Sequence, residues 1–476
     1  MVWEVTTILV LIIYAVTTIS TIFMILMENR NPVKSIAWIF VLLLFPVAGF
    51  VFYILVGKNL RKKMVLSSRS IDKWHERIEV IKNNPILEKS FPEQYRNLAF
   101  MALNSCNASM YVNNKVDVYT DGVSFFDALF ADIEKAKSYI HIEFYIFNSD
   151  KIGTKLIDVL KRKVAEGVKV RVIIDDVGSW KMKKSVVRDM RKAGIEIFCF
   201  LKVSIPAIGS RINYRNHRKI VVIDGSVGYT GGMNVADRYV DGLKWGSWRD
   251  THMRVEGDAV HGLQRCFLSD WYFVSQKLLD NDALFYPNPS EVVGNSLIQI
   301  VSSAPDSQWE SVMQMFFLAI SRARHTIYLE TPYFLPPQPI ISALQVASLG
   351  GVDVRIIIPR YSDAQFALSS SRSYIDDMQK AGIKVYFYEP GFLHSKTIVI
   401  DDMLSTVGSA NMDFRSFEQN FEINAWIYDA DFALRLKEIF MDDLGKSTLI
   451  DPDKWKERPR LQKLSESWAR LFSPLM

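Results

Sequence analysis

NHRKIVVIDGSVGYTGGMN, at residues 216–234, joins a short apolar strand to side chains that carry chemistry. His217 and Lys219 stand at the start of the strand, Asp224 ends it, and Asn234 follows a pair of glycines. Alternate residues of a strand point to the same face, so the imidazole and the ammonium share one face and the residue between them points away. The stretch therefore predicts a cationic site at the beginning of a strand.

The same pattern occurs a second time, in LHSKTIVIDDMLSTVGSANMD at residues 393–413. His394, Lys396, Asp401 and Asn411 repeat the four residues above with identical spacing. A single His-x-Lys would mean little, because structural histidines are common, whereas two copies of H-x-K-x4-D-x6-G-x-x-N form a specific signal. The chain therefore predicts two half-sites.

The repeat is larger than the motif and has the size of a domain. In both copies strands alternate with amphipathic helices, which is typical of an α/β fold. We predict two duplicated α/β domains packed pseudo-symmetrically, each with its own sheet, and one site at their interface. The matching segments are SYIHIEFYIF (138–147) with HTIYLETPYF (325–334), EGVKVRVII (166–174) with GGVDVRIII (350–358), and MRKAGIEIF (190–198) with MQKAGIKVY (378–386).

Bringing the copies together places two imidazoles and two ammonium groups around one pocket, with the amides of Asn234 and Asn411 as further donors. Such a cage fits an anionic phosphorus centre. One neutral imidazole can attack phosphorus to form a phosphohistidine, while the other passes a proton to the leaving alkoxide and later takes one from the incoming alcohol or water. The lysines neutralise the charge, so we expect neither a metal nor another cofactor.

Two further pairs of carboxylates accompany the motifs. Asp250 and Glu422 lie in β-like runs downstream of each copy, and we expect them to orient the histidines; the alternative is an ordinary charge on a surface strand. Asp224 and Asp401 lie at an odd offset from the lysines, so they either belong to the reacting set or cap the turn and fix the backbone.

The N-terminus holds two apolar stretches, at 5–27 and 35–57, without a charged residue in either. Each is long enough to cross a bilayer as a helix. The short connection between them predicts a transmembrane hairpin at 1–57. A cluster of basic residues follows and marks the cytoplasmic side of a membrane: Lys58, Arg61, Lys62, Lys63 and Arg69. We therefore expect a multi-pass protein of the cell membrane whose N-terminus and catalytic domains both face the cytoplasm.

The remaining boundaries follow from the repeat. We expect a helical juxtamembrane linker at 58–112, a first catalytic domain at 113–285, and a second domain with a C-terminal tail at 286–476. The net charge of +5 fits anionic lipid. Long basic runs interleaved with aromatic residues are missing from the sequence, so a nucleic-acid partner is not expected.

The motifs resemble those of the phospholipase D superfamily, and within it the bacterial cardiolipin synthases. The resemblance covers nearly the whole chain, including WRDTHMRVEG (248–257), ETPYFLP (330–336) and GSANMDFRSFEQNFEINA (408–425). Ala304 departs from the glycine usual in that family. The resemblance implies that two phosphatidylglycerol molecules give cardiolipin and glycerol, with His217 as nucleophile and His394 as acid and base. It also counts both motif aspartates with the catalytic set.

Several alternatives stay open at this point. The residues alone do not choose between the two histidines, nor do they give the oligomeric state. A membrane-anchored phospholipase D-type hydrolase or nuclease, and a non-catalytic lipid-binding scaffold, are rival functions. The stretches at 144–147 and 333–337 fit either strand core or an acyl-chain lining, and the loop at 202–216 fits either a surface loop or a lipid-facing lip. The tail at 466–476 either docks on the domain or contacts the membrane interface.

Overall fold

The computed structural model describes residues 2–27, 32–53, 91–203, 213–279, 282–287 and 293–475. The chain forms two compact units. The smaller unit holds Met1–Met64 and Val203–Tyr214, and the larger holds Val65–Lys202 and Arg215–Met476. The basic cluster at 58–69 and most of the loop at 202–216 lie outside the described residues, and so does the predicted linker before residue 91.

The described part of the smaller unit consists of helices α1 (Val2–Met27), α2 (Pro32–Leu44) and α3 (Pro46–Phe52). Within α1, the stretch from Trp3 to Met27 is long and apolar enough to cross a membrane, as predicted. The second apolar stretch is interrupted. Phe45 has φ −134° and ψ 72°, because the residue before a proline is driven out of the helical conformation.

The interruption reverses the chain. Fifteen residues of straight helix between Trp38 and Tyr53 would span about 22 Å, yet the two ring centroids are 5.3 Å apart. A Cβ added to Gly49 would lie 2.8 Å from the carbonyl oxygen of Val41, so α3 folds back against α2. The predicted hairpin is thus confirmed only in part, because the second stretch is a reversed helix pair rather than one straight helix.

The larger unit is built on nineteen described strands. Those of the first half are β1 (Met110–Tyr119), β2 (Tyr139–Phe144), β3 (Lys169–Asp175), β4 (Glu196–Phe200), β5 (Lys219–Ile223), β6 (Val227–Gly231), β7 (Ser247–Arg249) and β8 (His252–Gly257). Those of the second half are β9 (Ser296–Ser303), β10 (Thr326–Glu330), β11 (Phe334–Leu335), β12 (Asp353–Pro359), β13 (Lys384–Tyr388), β14 (Gly391–Leu393), β15 (Thr397–Ile400), β16 (Leu404–Gly408), β17 (Met412–Asp413), β18 (Glu422–Tyr428) and β19 (Ser447–Leu449).

Fifteen of the described strands form one mixed sheet in the order β19-β13-β12-β10-β15-β16-β18-β9-β1-β8-β6-β5-β2-β3-β4. The order is pseudo-symmetric about the antiparallel pair of β1 and β9. The duplicated α/β fold is therefore confirmed, but the expectation of two separate sheets is wrong. The strands that precede each repeat pair with each other, and this removes an exposed edge from each half.

Helices cover the sheet. The first half has α4 (Arg96–Cys106), α5 (Gly122–Lys135), α6 (Lys151–Ala165), α7 (Lys184–Lys192), α8 (Arg238–Asp241), α9 (Val260–Ser275) and α10 (Asp282–Phe285). The second half has α11 (Ser311–Arg322), α12 (Gln338–Leu349), α13 (Gln365–Arg372), α14 (Ile375–Lys380), α15 (Phe414–Glu418), α16 (Ala430–Gly445), α17 (Pro452–Lys456) and α18 (Arg460–Arg470).

The amphipathic pattern explains how a helix such as α6 is placed. Its N-cap, Asp150, accepts a hydrogen bond from the amide of Gly153, which satisfies one of the free N–H groups at the helix start. Leu156 and Leu160 are buried in the core of the first half. The motif strands β5 and β15 are buried along their whole length, as expected for inner strands covered on both faces.

Candidate active site

The two motifs meet at one cavity of about 470 Å³. His217 and Asn234 from the first half and His394 and Asn411 from the second half all line it. The remaining lining residues are Tyr145, Ile146, Arg215, Arg238, Tyr239, Tyr333, Leu335, Asp363, Ala364, Phe366, Ala367, Asp413, Arg415 and Asn420. The cavity is the shared site that the duplicated motif predicts.

The halves are joined by hydrogen bonds directly beside the histidines. The amide of His217 donates to the carbonyl oxygen of Phe421 at 2.9 Å, and the amide of His394 donates to that of Arg249 at 2.7 Å. Each histidine therefore lies just before its motif strand, against a segment of the other half. This places the residue after Phe421 and the residue after Arg249 behind the opposite imidazole.

Those next residues are the two carboxylates that the sequence assigns as orienters, and each serves the other half. Glu422 accepts from Nδ1 of His217, with its oxygens at 3.0 and 3.1 Å. Asp250 accepts from Nδ1 of His394 at 2.6 Å. Both carboxylates are buried. Fixing Nδ1 as the donor leaves Nε2 of His217 for chemistry, whereas Nε2 of His394 has the ammonium of Lys396 at 3.3 Å.

Burial sets the charge states of these pairs. It lowers the pKa of His217 and of His394 to about 4 each, although the neighbouring carboxylates oppose the effect. Burial alone would raise the pKa of Asp250, but Lys396 and His394 together lower it to about 2. Burial alone would likewise raise the pKa of Glu422, but His217, Lys219 and the hydroxyl of Ser409 together lower it. At neutral pH the site holds two neutral imidazoles and two ionised carboxylates.

Each lysine stands beside the histidine of its own motif, but neither is among the residues that line the cavity, so their contact with substrate stays a prediction. The ammonium of Lys219 donates to the carbonyl oxygen of His217 at 2.6 Å, and that of Lys396 donates to the carbonyl oxygen of His394 at 2.5 Å. Burial lowers the pKa of Lys219 to about 7 and that of Lys396 in the same direction. A bound anion would favour their charged forms.

The asparagines line the cavity and also hold its walls. Asn234 accepts from the amide of Ile146 at 3.0 Å and donates to the hydroxyl of Tyr239 at 2.6 Å. Asn411 donates to a carboxylate oxygen of Asp413 at 3.1 Å. Contact of either amide with phosphate stays a prediction.

The motif aspartates contact backbone rather than the cavity, and a catalytic role for them stays a prediction. The carboxylate of Asp224 accepts from the amides of residues 137–139 at 2.7 to 2.8 Å, and that of Asp401 accepts from the amides of residues 324–326 at 2.7 to 2.9 Å. Each has a positive φ, 51° and 52°, a conformation that Asp tolerates better than most residues. Neither lines the cavity. They fix the backbone at the start of β2 and β10, which is the structural alternative left open by the sequence.

A buried layer of ion pairs supports each motif from behind. Arg218 points away from the cavity, as its odd position predicts, and pairs with Asp270 of α9. In the second half the cation comes from the first half instead, because Arg249 pairs with Asp443 of α16 at 2.7 Å. Removing one partner of such a buried pair is expected to be costly, since the other charge stays buried.

Two details distinguish the halves next to the carboxylates. A Cβ added to Gly232 would lie 1.9 Å from a carboxylate oxygen of Asp250, so this position requires glycine. The matching position in the second half holds Ser409, whose hydroxyl donates to Glu422. The carboxylate of Asp250 thus packs against the backbone of a glycine, and that of Glu422 is held by the hydroxyl of Ser409.

The histidines also have different neighbours. His217 has the ring of Tyr145 at 5.0 Å. His394 is surrounded by aromatic rings, with centroids between 5.0 and 6.4 Å away: Trp248, Phe392, Tyr239 and Tyr333. Tyr333 also donates to a carboxylate oxygen of Asp363 at 2.5 Å. A carboxylate and a phenol therefore flank the cavity on the side of His394.

Sequence reasoning missed three arginines that line the cavity, one of which is Arg215. Arg238 and Arg415 line it, and they lie four residues after Asn234 and Asn411, so the repeated motif extends to N-x3-R. The identical offset between the copies was a signal that could have found them. Tyr333 and Asp363 were missed as a pair because they come from separate segments of the second half.

In the aromatic stretches at 144–147 and 333–337, some residues belong to the strand core and others line the cavity. Phe144 and Phe147 are buried in the core, whereas Tyr145 lines the cavity between them. In the second stretch Tyr333 and Leu335 line the cavity. Alternation explains the second stretch, where Phe334 is buried between them; in the first, Tyr145 and the adjacent Ile146 both line the cavity beyond the end of β2.

Comparison with known families matches both halves and the N-terminus. The model described as "Cardiolipin synthase, PLD-like domain" matches residues 129–256 and again 317–444. The model described as "Phospholipase_D-nuclease N-terminal" matches residues 10–58. The family matches thus reproduce the duplication read from the motifs.

Full-length relatives and a solved structure agree. The cardiolipin synthase of Geobacillus kaustophilus (strain HTA426) is 40% identical over 462 residues, covering 94% of this chain and 90% of the relative. That of Listeria monocytogenes serotype 4b (strain CLIP80459) is 39% identical over 464 residues, covering 94% and 95%. The crystal structure of phosphatidylserine synthase from Haemophilus influenzae Rd KW20 shares the fold, with a TM-score of 0.60 and 14% identity over 80% of this chain and 100% of that one.

Proposed function

The chain belongs to the cardiolipin synthase family with two phospholipase D-like domains, and we propose that it joins two phosphatidylglycerol molecules into cardiolipin and glycerol. One observation carries the proposal: two buried imidazoles, each held at Nδ1 by a carboxylate of the other half, line one cavity. A two-step phosphatidyl transfer needs one nucleophile and one acid or base, and this pair supplies both.

In the first step, Nε2 of His217 attacks the phosphorus of one phosphatidylglycerol. The P–N bond forms, the P–O bond to glycerol breaks, and His394 gives its proton to the leaving oxygen. The phosphodiester anion raises the pKa of His394 on binding, so the imidazole can hold that proton. Lys219 and Lys396 stabilise the charge on the non-bridging oxygens.

In the second step, His394 takes a proton from a hydroxyl of a second phosphatidylglycerol. The oxygen attacks phosphorus, the P–N bond breaks, and His217 is restored as a neutral imidazole. The products are cardiolipin and the glycerol released earlier. Asn234 and Asn411 are proposed to donate hydrogen bonds to the phosphate during both steps.

The surroundings of the histidines support this division of roles. In-line displacement puts the leaving alcohol on the side opposite the nucleophile. The carboxylate of Asp363 accepts from Tyr333, whose ring lies 6.4 Å from that of His394, so this carboxylate lies on the side of His394. A carboxylate accepts hydrogen bonds from hydroxyl groups, so this side suits glycerol. His217 is left as the attacking group.

The anchor supports a lipid substrate. We propose that α1 crosses the cell membrane and that the catalytic part lies on the cytoplasmic side, where the basic residues at 58–69 favour anionic headgroups. The reversal at Phe45 and Pro46 changes the expected topology. If the second segment returns to the face it entered, the chain crosses once and its N-terminus lies opposite the catalytic part.

A product assay tests the function. The detergent-purified chain is incubated with phosphatidylglycerol vesicles in the presence of a chelator, and the lipids are identified by mass spectrometry. We expect cardiolipin and one glycerol for each transfer, and neither product with His217→Ala.

Phosphatidic acid as the only product would instead identify a hydrolase. Turnover that is unaffected by His217→Ala and by His394→Ala would exclude catalysis by this site and favour a lipid-binding scaffold. Cleavage of DNA with no lipid product would identify a nuclease.

A further inference from the structure

The last helix of the chain, α18, turns its apolar side chains away from the protein. Leu461, Leu464 and Trp468 are 80%, 67% and 56% exposed, and Leu471, just beyond the helix, is 75% exposed. Their spacing of three and four residues places all four on one face of the helix. They form a continuous apolar stripe, which we call the α18 stripe.

The opposite face of α18 is polar and buried. Glu466 is 3% exposed and accepts from Arg458 at 2.8 Å and from Gln462 at 2.9 Å. Arg470 pairs with Asp377 of α14 at 2.8 Å. A surface helix ordinarily buries its apolar face and exposes its polar one. In α18 the polar face is buried and the apolar face is exposed, and the polar contacts hold the helix in that orientation.

The α18 stripe continues to the rim of the cavity. The ring of Trp468 meets that of Phe366 at 5.6 Å in a T-shaped contact, and Phe366 itself lines the cavity. Two residues beyond Leu471, the hydroxyl of Ser473 lies 2.7 Å from that of Ser370. The C-terminal tail therefore docks on α13, and an apolar path runs from the stripe to the site.

The wall that carries Phe366 has no counterpart in the first half. Ser179 accepts from the amide of Phe147, and Ser371 accepts from that of Phe334, so the two serines are equivalent. Ser179 follows the end of β3 by four residues, from 175 to 179, whereas Ser371 follows the end of β12 by twelve, from 359 to 371. The eight additional residues of the second half form the segment that α18 covers.

We propose that the α18 stripe is a membrane-contact surface, which lies at the boundary of headgroups and acyl chains and passes lipid between the bilayer and the cavity. The proposal rests on the proposed function in one respect, that the substrate is a membrane lipid. Amphipathic helices of this kind bury their apolar face about 5–10 Å into the boundary layer. Tryptophan is enriched at that depth, and the exposed Arg460 at the start of α18 suits anionic headgroups.

The bilayer fits the stripe better than a second copy of the chain does. A stable protein–protein interface buries roughly 1,200–2,000 Å² in total, and three side chains of an eleven-residue helix with the leucine just beyond it offer far less. A lipid surface needs no matching partner shape, only apolar side chains at one depth.

The depth of a label at residue 464 tests the surface. Leu464→Cys and the control Leu349→Cys are made in the full chain, since Leu349 is 74% exposed in α12. Both are spin-labelled in bilayers of phosphatidylglycerol and phosphatidylcholine, with the labelled wild-type chain as background for its three cysteines. We expect residue 464 to collide mainly with oxygen dissolved in lipid, and residue 349 with a water-soluble nickel chelate.

Activity gives a second readout. Leu461→Gln with Leu464→Gln should lower cardiolipin formation from bilayers about tenfold and leave turnover of a short-chain, monomeric phosphatidylglycerol unchanged. Val346→Gln with Leu349→Gln is the matched control, at the same spacing and with 70% and 74% exposure, and should change neither.

A label at 464 that is open to water in bilayers would overturn the proposal. Shielding that appears in detergent and rises with protein concentration would also overturn it, in favour of a second copy. If the wild-type chain makes no cardiolipin, the proposed function fails, whereas the depth measurement still decides the surface.

Discussion

His217 and His394 occupy the same place in the two copies of the repeat, but their neighbours differ. Beside His217 stands Tyr145, and Arg215 lines the same cavity. Beside His394 stand four aromatic rings, and Asp363, from the extra segment of the second half, accepts from one of them, Tyr333. Duplication supplied two equal imidazoles. The residues around each imidazole differ, and this difference can make one histidine the nucleophile and the other the acid and base for the alcohol.

Alanine at either histidine should have the largest effect and should break the symmetry. With phosphatidylglycerol as donor we expect losses on the order of 10⁴-fold for both His217→Ala and His394→Ala. With a phosphatidyl p-nitrophenol donor, whose leaving group needs no proton, His394→Ala should keep the burst of p-nitrophenol and His217→Ala should lose it. Stopped-flow absorbance measures the burst, and a burst that survives in His217→Ala would reverse the assignment.

The crossed carboxylates come next. Glu422→Gln and Asp250→Asn should each lower turnover by roughly 10²–10⁴-fold, as expected when an imidazole loses the group that fixes its tautomer. Glu422→Gln should slow the p-nitrophenol burst, because it acts on His217, whereas Asp250→Asn should spare it. Equal effects on the burst would mean that each carboxylate acts on both steps.

Asp363→Asn tests the polar side of the cavity with a smaller effect. Losing one hydrogen bond to a charged acceptor should lower turnover of phosphatidylglycerol about 10–100-fold. The burst from the p-nitrophenol donor should stay unchanged, since that leaving group has no glycerol hydroxyls. Ser179→Ala, in the first half, is a control for structure at the equivalent end of β3. A burst lowered as much as turnover would place Asp363 in the attack itself.

The motif aspartates should affect the fold more than the chemistry, and equally in both halves. Asp224→Ala and Asp401→Ala each leave three backbone amides without their acceptor, so we expect a loss of about 1–3 kcal/mol in the free energy of unfolding. Chemical denaturation in detergent measures it. Turnover per folded molecule should stay within about threefold; a loss of 100-fold would return these residues to the catalytic set.

The pH dependence of stability should show the two histidines as equals. Each has a folded pKa of about 4 against about 6.5 in the unfolded chain. Between these values only the unfolded chain binds the proton, so the free energy of unfolding falls as pH falls from 6.5 to 4. His217→Gln and His394→Gln should each reduce that fall by about 1–3 kcal/mol. Denaturation curves at pH 7 and pH 4.5 measure it, and an unchanged slope would contradict the burial of neutral imidazoles.

Much of the site could be predicted from the sequence, because spacing alone is informative for a duplicated motif. Equal offsets gave the paired histidines and lysines, and strand alternation gave the outward direction of Arg218. The exchange of Asp250 and Glu422 between the halves could not be predicted. It depends on which backbone amides of one half pair with which carbonyl groups of the other, and no local sequence pattern shows that pairing.

The sequence predicted the fold class but not how the sheets of the two halves are joined. Strands alternating with helices indicate α/β domains, but the pairing of β1 with β9 joins segments far apart in the chain, and their apolar pattern fits an edge or an inner strand equally well. The reversal in the second apolar stretch had a local signal in Pro46. Length and hydropathy alone favoured a straight span.

The covalent intermediate tests the central claim most directly. The wild-type chain is mixed with phosphatidylglycerol, quenched within milliseconds in alkaline detergent to preserve phosphohistidine, digested, and mapped by mass spectrometry. We predict the phosphatidyl group on the peptide that contains His217. A phosphatidyl group on the peptide that contains His394, or equal amounts on both, would contradict the division of roles between the two halves.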